Sequence, residues 1–135
     1  MSFHDYNSEH CDVSVLEGKT FVRLEKTDEE LIFWAENKAD SYSLYHIQGC
    51  CECVYIEDVV GDLEDLENTP ILKAEEVRSQ TLPPVNDYDS SWTWTFYKFS
   101  TIKGSVTIRW YGTSNGYYSE EVTCCKWYDD PEEDL

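Results

Sequence analysis

From Ser91 to Tyr128 the chain reads SWTWTFYKFSTIKGSVTIRWYGTSNGYYSEEVTCCKWY, and this stretch holds four of its five tryptophans. Such a run constrains the fold more than any other part of the sequence. In Trp92 to Phe99, Trp92, Trp94 and Phe96 alternate with Thr93, Thr95, Tyr97 and Phe99. In Ser105 to Tyr111, Val106, Ile108 and Trp110 alternate with Thr107, Arg109 and Tyr111. A period of two is the mark of a strand whose two faces meet different surroundings. Lys103-Gly104 and Ser114-Asn115-Gly116 supply turns, because Gly and Asn accept positive φ at low cost. With Tyr117 to Tyr128 as a third run, the stretch is expected to form an antiparallel meander at the heart of the molecule.

Upstream, the same signals recur. Lys19 to Glu25, Glu30 to Glu36 and Ser41 to Ile47 read as three strands joined by turns, a second meander. Val54 to Val60 reads as a strand, since four of its seven residues are β-branched. Asp62 to Glu67 (DLEDLE) reads as a short acidic helix: Asp62 can cap it, and Leu63 and Leu66 share a face. Ile71 to Ser79 fits a strand or a short helix. Gln80 to Ser91, with Pro83-Pro84, is the longest loop. The expected fold class is α+β, β-rich, with antiparallel sheets from two meanders and one short acidic helix. Residues 1–15 are expected to be a flexible lead-in, 16–128 a single globular domain and 129–135 a disordered acidic tail.

Charge narrows the function. The chain of 135 residues carries 28 acids against 10 bases, a net charge of −18. Direct nucleic-acid binding is not expected, because phosphate contact needs clustered Lys and Arg. Binding to an anionic membrane is disfavoured for the same reason, and no apolar run approaches the ~18 residues of a membrane span. Basic partners are the natural complement. The N-terminal MSFHDYNSEHCDV has neither a basic region nor an apolar run, so no signal peptide is expected. The six cysteines are then expected to be thiols in a reducing cytosol.

Three constellations carry candidate chemistry. The first is the acidic middle, in which Glu57, Asp58, Asp62, Glu64, Asp65 and Glu67 form a candidate partner-binding surface. Dense carboxylates on ordered elements can imitate the phosphates of duplex DNA, which recur every ~1.7 Å along its axis; the alternative is an ordinary solvated face. The second is the polar-aromatic hairpin, where Arg109, Trp110, Tyr111, Ser114, Asn115, Tyr117 and Tyr118 form a candidate pocket for a small nucleotide, the Arg pairing with phosphate and the rings stacking on a base. The alternative pairs Arg109 with a carboxylate and uses the tyrosines to cover the sheet. The third is the corner His46, Cys50, Cys51 with Glu52, which contains metal-ligand residue types. Adjacent cysteines on a strand point to opposite faces and C-C-x-C is not a structural zinc spacing, so no metal or cofactor is expected there. A cysteine nucleophile would need positive surroundings, whereas Glu52, Glu57 and Asp58 lie near. No GxGxxG, P-loop, GxSxG or HExxH motif occurs.

The segments Tyr45 to Val77 and Trp92 to Val122 resemble a family of small, mostly bacteriophage-encoded proteins of unknown function. The family carries H-x-Q-D-C-C-E, E-D-x-x-G-D and R-W-Y-G-x-S-N-G-Y-Y-S segments. They match His46, Gln48, Cys50, Cys51 and Glu52, then Glu57, Asp58, Gly61 and Asp62, then Arg109 to Ser119. Gly49 departs from the pattern, which has Asp there, and Cys53, Cys124 and Cys125 fall outside it. The resemblance implies a phage setting, a host cytoplasm, and a role in countering host defences or redirecting host enzymes. The expected function is therefore a non-enzymatic inhibitor that binds a host protein through an acidic, DNA-mimicking surface. A sponge for a small nucleotide signal and a metal-assisted enzyme using His46, Cys50, Cys51 and Glu52 are the alternatives.

Overall fold

The computed structural model describes residues 9–46, 51–116 and 119–126. Among them, nine strands form two antiparallel sheets packed face to face. They are β1 (Glu9–Cys11), β2 (Arg23–Lys26), β3 (Glu30–Trp34), β4 (Tyr42–Tyr45), β5 (Glu52–Val60), β6 (Lys73–Ser79), β7 (Ser91–Thr101), β8 (Gly104–Ser114) and β9 (Thr123–Lys126). One sheet has the order β1-β9-β4-β3-β2 and the other β5-β8-β7-β6.

The alternation of β7 and β8 decides what faces inward. Thr95, Tyr97 and Phe99 of β7 and Val106, Ile108 and Trp110 of β8 are buried between the sheets. Phe33 from the first sheet meets Phe99 from the second edge to face, with ring centroids 5.1 Å apart, and Phe21 packs on Phe33 at 5.2 Å. Each such side chain contributes about 1.5–3 kcal/mol by leaving water. The outward residues of β7 and β8, Trp92, Trp94, Phe96, Arg109 and Tyr111, form the opposite face of the second sheet.

Two expectations are corrected. First, the described residues contain no α-helix. Leu63–Leu66 is a single 3-10 turn, one of three among the described residues, at Val13–Leu16, Lys38–Asp40 and Leu63–Leu66. Asp62 caps it, its Oδ1 accepting from the Glu64 amide at 3.0 Å, and Leu66 is buried. Gly61 (φ 113°) and Asn68 (φ 61°) adopt left-handed backbone on either side, leaving too few residues to repay helix nucleation. The domain is β-rich with almost no helix. Second, the third run of the aromatic stretch does not complete a meander on β8. Its strand β9 crosses to the other sheet and lies between β4 and β1. Nine-residue β5 takes the place beside β8, pairing from Glu52↔Ser114 to Val60↔Thr107, a longer ladder than the four-residue β9 could offer. Of the two alternatives for Ile71 to Ser79, the structure takes the strand, β6.

Within the first fifteen residues, Glu9–Cys11 pairs with β9 and Val13 is buried. The tail 129–135 lies outside the described residues.

Candidate functional site

The acidic residues divide by where the backbone sends them. A bulge in β5 between Ile56 and Asp58 shifts the register against β8 and turns Glu57 and Asp58 toward Arg109. Glu57 Oε2 lies 3.3 Å from Arg109 Nε, and Asp58 Oδ2 lies 3.9 Å from its terminal nitrogen. Gly61 then reverses the chain, and a Cβ there would sit 2.6 Å from the Ser105 carbonyl oxygen. Past this tight turn, Asp62 and Glu64 join Glu57 and Asp58 around an open concavity of about 700 Å³, with Lys26 on its wall. Four carboxylates thus share one concavity with Lys26, and two of them also pair with Arg109.

Asp65 and Glu67 belong elsewhere. The Asp65 carbonyl accepts from Thr101 Oγ1 at 2.5 Å, and its carboxylate packs against Gly104 at the β7–β8 turn. Glu67 accepts from the Leu24 amide at 2.8 Å, and its carbonyl accepts from Lys103 Nζ at 2.7 Å. These two tie the 3-10 turn to both sheets.

The sheet itself divides the aromatic hairpin. Trp110 and Ser114 point inward, whereas Arg109 and Tyr111 point outward, and exposed Asn115 sits at the end of the strand; Tyr117 and Tyr118 lie outside the described residues. On the outer face, the Arg109 guanidinium lies 5.3 Å from the Trp94 ring centre, and Trp94 packs on Tyr111 at 4.7 Å. Inside, Ser114 Oγ donates to Glu120 at 2.5 Å and Thr93 Oγ1 donates to the other carboxylate oxygen at 2.8 Å. Glu120 was not singled out by the sequence, where it is one acid in a Ser-Glu-Glu run. It lines a cavity of about 740 Å³ with Arg78, Gln80, Ser91 and Glu121. Arg78 is already bridged to Glu76 at 3.2 Å and to Glu121 at 3.0 Å, so a phosphate entering here would meet a wall of net negative charge.

At the corner, His46 and Glu52 form a buried pair. His46 Nε2 lies 3.2 Å from Glu52 Oε1, and Nδ1 lies 2.6 Å from the Glu121 carbonyl. A carbonyl only accepts, so Nδ1 carries a proton and His46 acts as a donor bridging the second sheet to the segment before β9. Cys51 is exposed, and Cys50 lies outside the described residues. Among the described residues no three His, Cys, Asp or Glu side chains converge as a metal site.

A second feature escaped sequence reading. Residues 82–89 form a strap over the outer face of the second sheet. Trp92 Nε1 donates to the Leu82 carbonyl at 2.8 Å, and Trp94 Nε1 donates to the Pro83 carbonyl at 2.9 Å. Tyr111 receives the Val85 amide at 3.1 Å and donates its hydroxyl to Asp89. Burial, with the Asp89 bond second, pushes the Tyr111 pKa up to about 12.

No helix among the described residues is long and apolar enough to cross a membrane. No curated protein and no solved structure matches the chain. A family model does, over residues 14–124. That span runs from the first 3-10 turn to β9 and contains both the acidic concavity and the strap. The chain therefore belongs to the family of the domain of unknown function DUF7448.

Proposed function

We propose that this domain is a non-enzymatic binding protein that blocks a protein with a basic, nucleic-acid-binding surface. The observation that carries the reading is the shared concavity of Glu57, Asp58, Asp62 and Glu64. Its carboxylates are set by a strand bulge and a capped turn, so their spacing is fixed before a partner arrives. A preorganised acidic surface loses less on binding than a mobile acidic tail. The net charge of −18 adds a long-range field that steers basic partners toward it. In a phage setting, which the sequence resemblance implies, the partner is a host defence or nucleic-acid-processing protein in the host cytoplasm, and the carboxylates take the place of duplex phosphates.

The test is a pull-down from host lysate at low and high salt, using wild type and a variant carrying Asp58→Lys, Asp62→Lys and Glu64→Lys, its folding checked by circular dichroism. A captured nucleic-acid-binding protein should be released by salt, displaced by duplex DNA and missed by the variant. Capture that survives both salt and charge reversal rejects the proposal.

A further inference from the structure

The strap over the outer face of the second sheet presents apolar side chains to water on a fixed backbone. Tyr88 is 96% exposed, Val85 47%, Leu82 43% and the neighbouring Val77 of β6 42%. Scattered apolar residues on a surface need no explanation. These four differ because all lie on the outer side of one sheet. Val77 pairs in register with outward Phe96. Leu82 and Val85 are each held through their own backbone, by Trp92 and Tyr111 respectively. Tyr88 follows in the turn closed by the Asp89 amide on the Asn86 carbonyl, and the Asp89 carboxylate is held by Tyr111.

The arrangement is the reverse of what burial alone would give. Trp92, Trp94 and Tyr111 commit their polar atoms to holding the strap, and the strap leaves Tyr88 and nearly half of Val85 and Leu82 in water. Pro83-Pro84 stiffens its first part. A backbone fixed at both ends with a projecting tyrosine has little ordering entropy left to lose on binding, and tyrosine is enriched among residues that dominate interface energy.

The charge around the patch selects the partner. Asp87 and Asp89 flank Tyr88 in sequence, and on the same face Glu57 and Asp58 lie just beyond Arg109. A second copy of this chain would bring like charges together on two molecules of net charge −18. We propose that Tyr88, Val85, Leu82 and Val77 form the apolar centre of a docking surface for a different protein, one that offers an apolar cleft rimmed by Lys and Arg. The inference rests on the acidic-surface reading above and adds an apolar anchor to it.

The experiment uses two synthetic peptides of equal length and positive charge, one of Lys and Leu patterned amphipathically, the other of Lys and Ser. Their affinities are measured by calorimetry at physiological salt. Wild type should bind the Lys/Leu peptide at least ~10-fold more tightly than the Lys/Ser peptide, the equivalent of about 1.4 kcal/mol. The triple variant Leu82→Ser, Val85→Ser, Tyr88→Ala should bind both alike. Its three sites are exposed, so the fold is retained, and circular dichroism checks it. Equal affinities in wild type, or a preference that survives the triple substitution, overturns the apolar anchor. If instead neither peptide binds, or Asp58→Lys with Asp62→Lys leaves the Lys/Ser affinity unchanged, the acidic-surface reading itself fails. Self-association of wild type in sedimentation, abolished by the triple variant, would put a second copy on the patch and also overturn the proposal.

Discussion

The Tyr111 hydroxyl donates to the carboxylate of Asp89, a residue 22 positions earlier in the chain, while accepting the Val85 amide at 3.1 Å. One phenol on β8 therefore holds both the middle and the end of the strap. The ring is buried on the outer face of the sheet, between Trp94 at 4.7 Å and Tyr55 at 6.0 Å. Tyr111→Phe keeps this packing and removes only the hydroxyl. The expected result is a loss of about 1.5–3 kcal/mol, typical of a hydrogen bond to a charged acceptor, with new protease cleavage near residues 85–89 under native conditions. Denaturant titration and limited proteolysis check the two parts. An unchanged cleavage pattern would mean that Trp92 and Trp94 alone fix the strap.

Alkali should act through the same hydroxyl. Burial and the Asp89 bond raise the Tyr111 pKa to about 12. Burial also raises that of Tyr97, whose hydroxyl donates to Glu76 at 2.6 Å. Both groups are held in their neutral, protonated form by the fold. Between the ordinary tyrosine value near 10 and these raised values, the folded chain binds more protons than the unfolded one, so stability falls as pH rises. Below pH ~10 the contribution is fully present. Chemical denaturation across this range should give a falling midpoint, and Tyr111→Phe should flatten part of the slope. A midpoint independent of pH from 10 to 12 would refute the assignment.

The alternation of β7 and β8 was legible because a strand with two different faces leaves a period of two in its sequence. That same alternation puts Arg109 and Trp110 on opposite faces, so a pocket using both was already at odds with the pattern. The destination of β9 was not legible. Whether a short run joins β8 or crosses over depends on competition from β5, more than fifty residues away, and no local signal records it. The acidic turn was misassigned for a simpler reason. Leu63 and Leu66 share a face in a 3-10 turn as well as in an α-helix, and only the flanking left-handed residues Gly61 and Asn68 separate the two. Of the six acids grouped by sequence, the turn turns Asp62 and Glu64 outward and draws Asp65 and Glu67 into contact with the sheets.

At Gly112 the segment before β9 passes close over the second sheet. A Cβ there would lie 2.7 Å from the Glu120 carbonyl oxygen and 3.2 Å from Val54 Cγ2. The oxygen is backbone and cannot give way cheaply. Gly112→Ala should push Glu120 off Ser114 and Thr93 and destabilise the domain by about 1–3 kcal/mol, the usual range for overpacking. Thermal unfolding measures this loss. Full stability would mean that the 119–122 segment moves freely over the sheet, and with it the wall of the Arg78 cavity.

Cys11 and Cys124 face one another across β1 and β9, their sulfurs 3.4 Å apart. The separation is that of two thiols in contact, and directly opposed residues of antiparallel strands lie within the Cα range a disulfide needs. The Cys11 bond and burial raise the Cys124 thiol well above its ordinary pKa, so the more exposed Cys11 should react first. With oxidised glutathione, Cys11 forms a mixed disulfide and releases one glutathione. Cys124 then displaces the second, leaving the Cys11–Cys124 bond and two reduced glutathiones. Peptide mapping of treated monomer should find Cys11 joined to Cys124, distinct from glutathione adducts on the exposed Cys51 and Cys53, and the bridge should add about 2–4 kcal/mol of stability, as expected for a link between distant parts of a chain. Cys11→Ser should abolish the effect and Cys125→Ser should leave it. A glutathione adduct that persists on Cys11 would show that β1 does not hold the two sulfurs in register in solution.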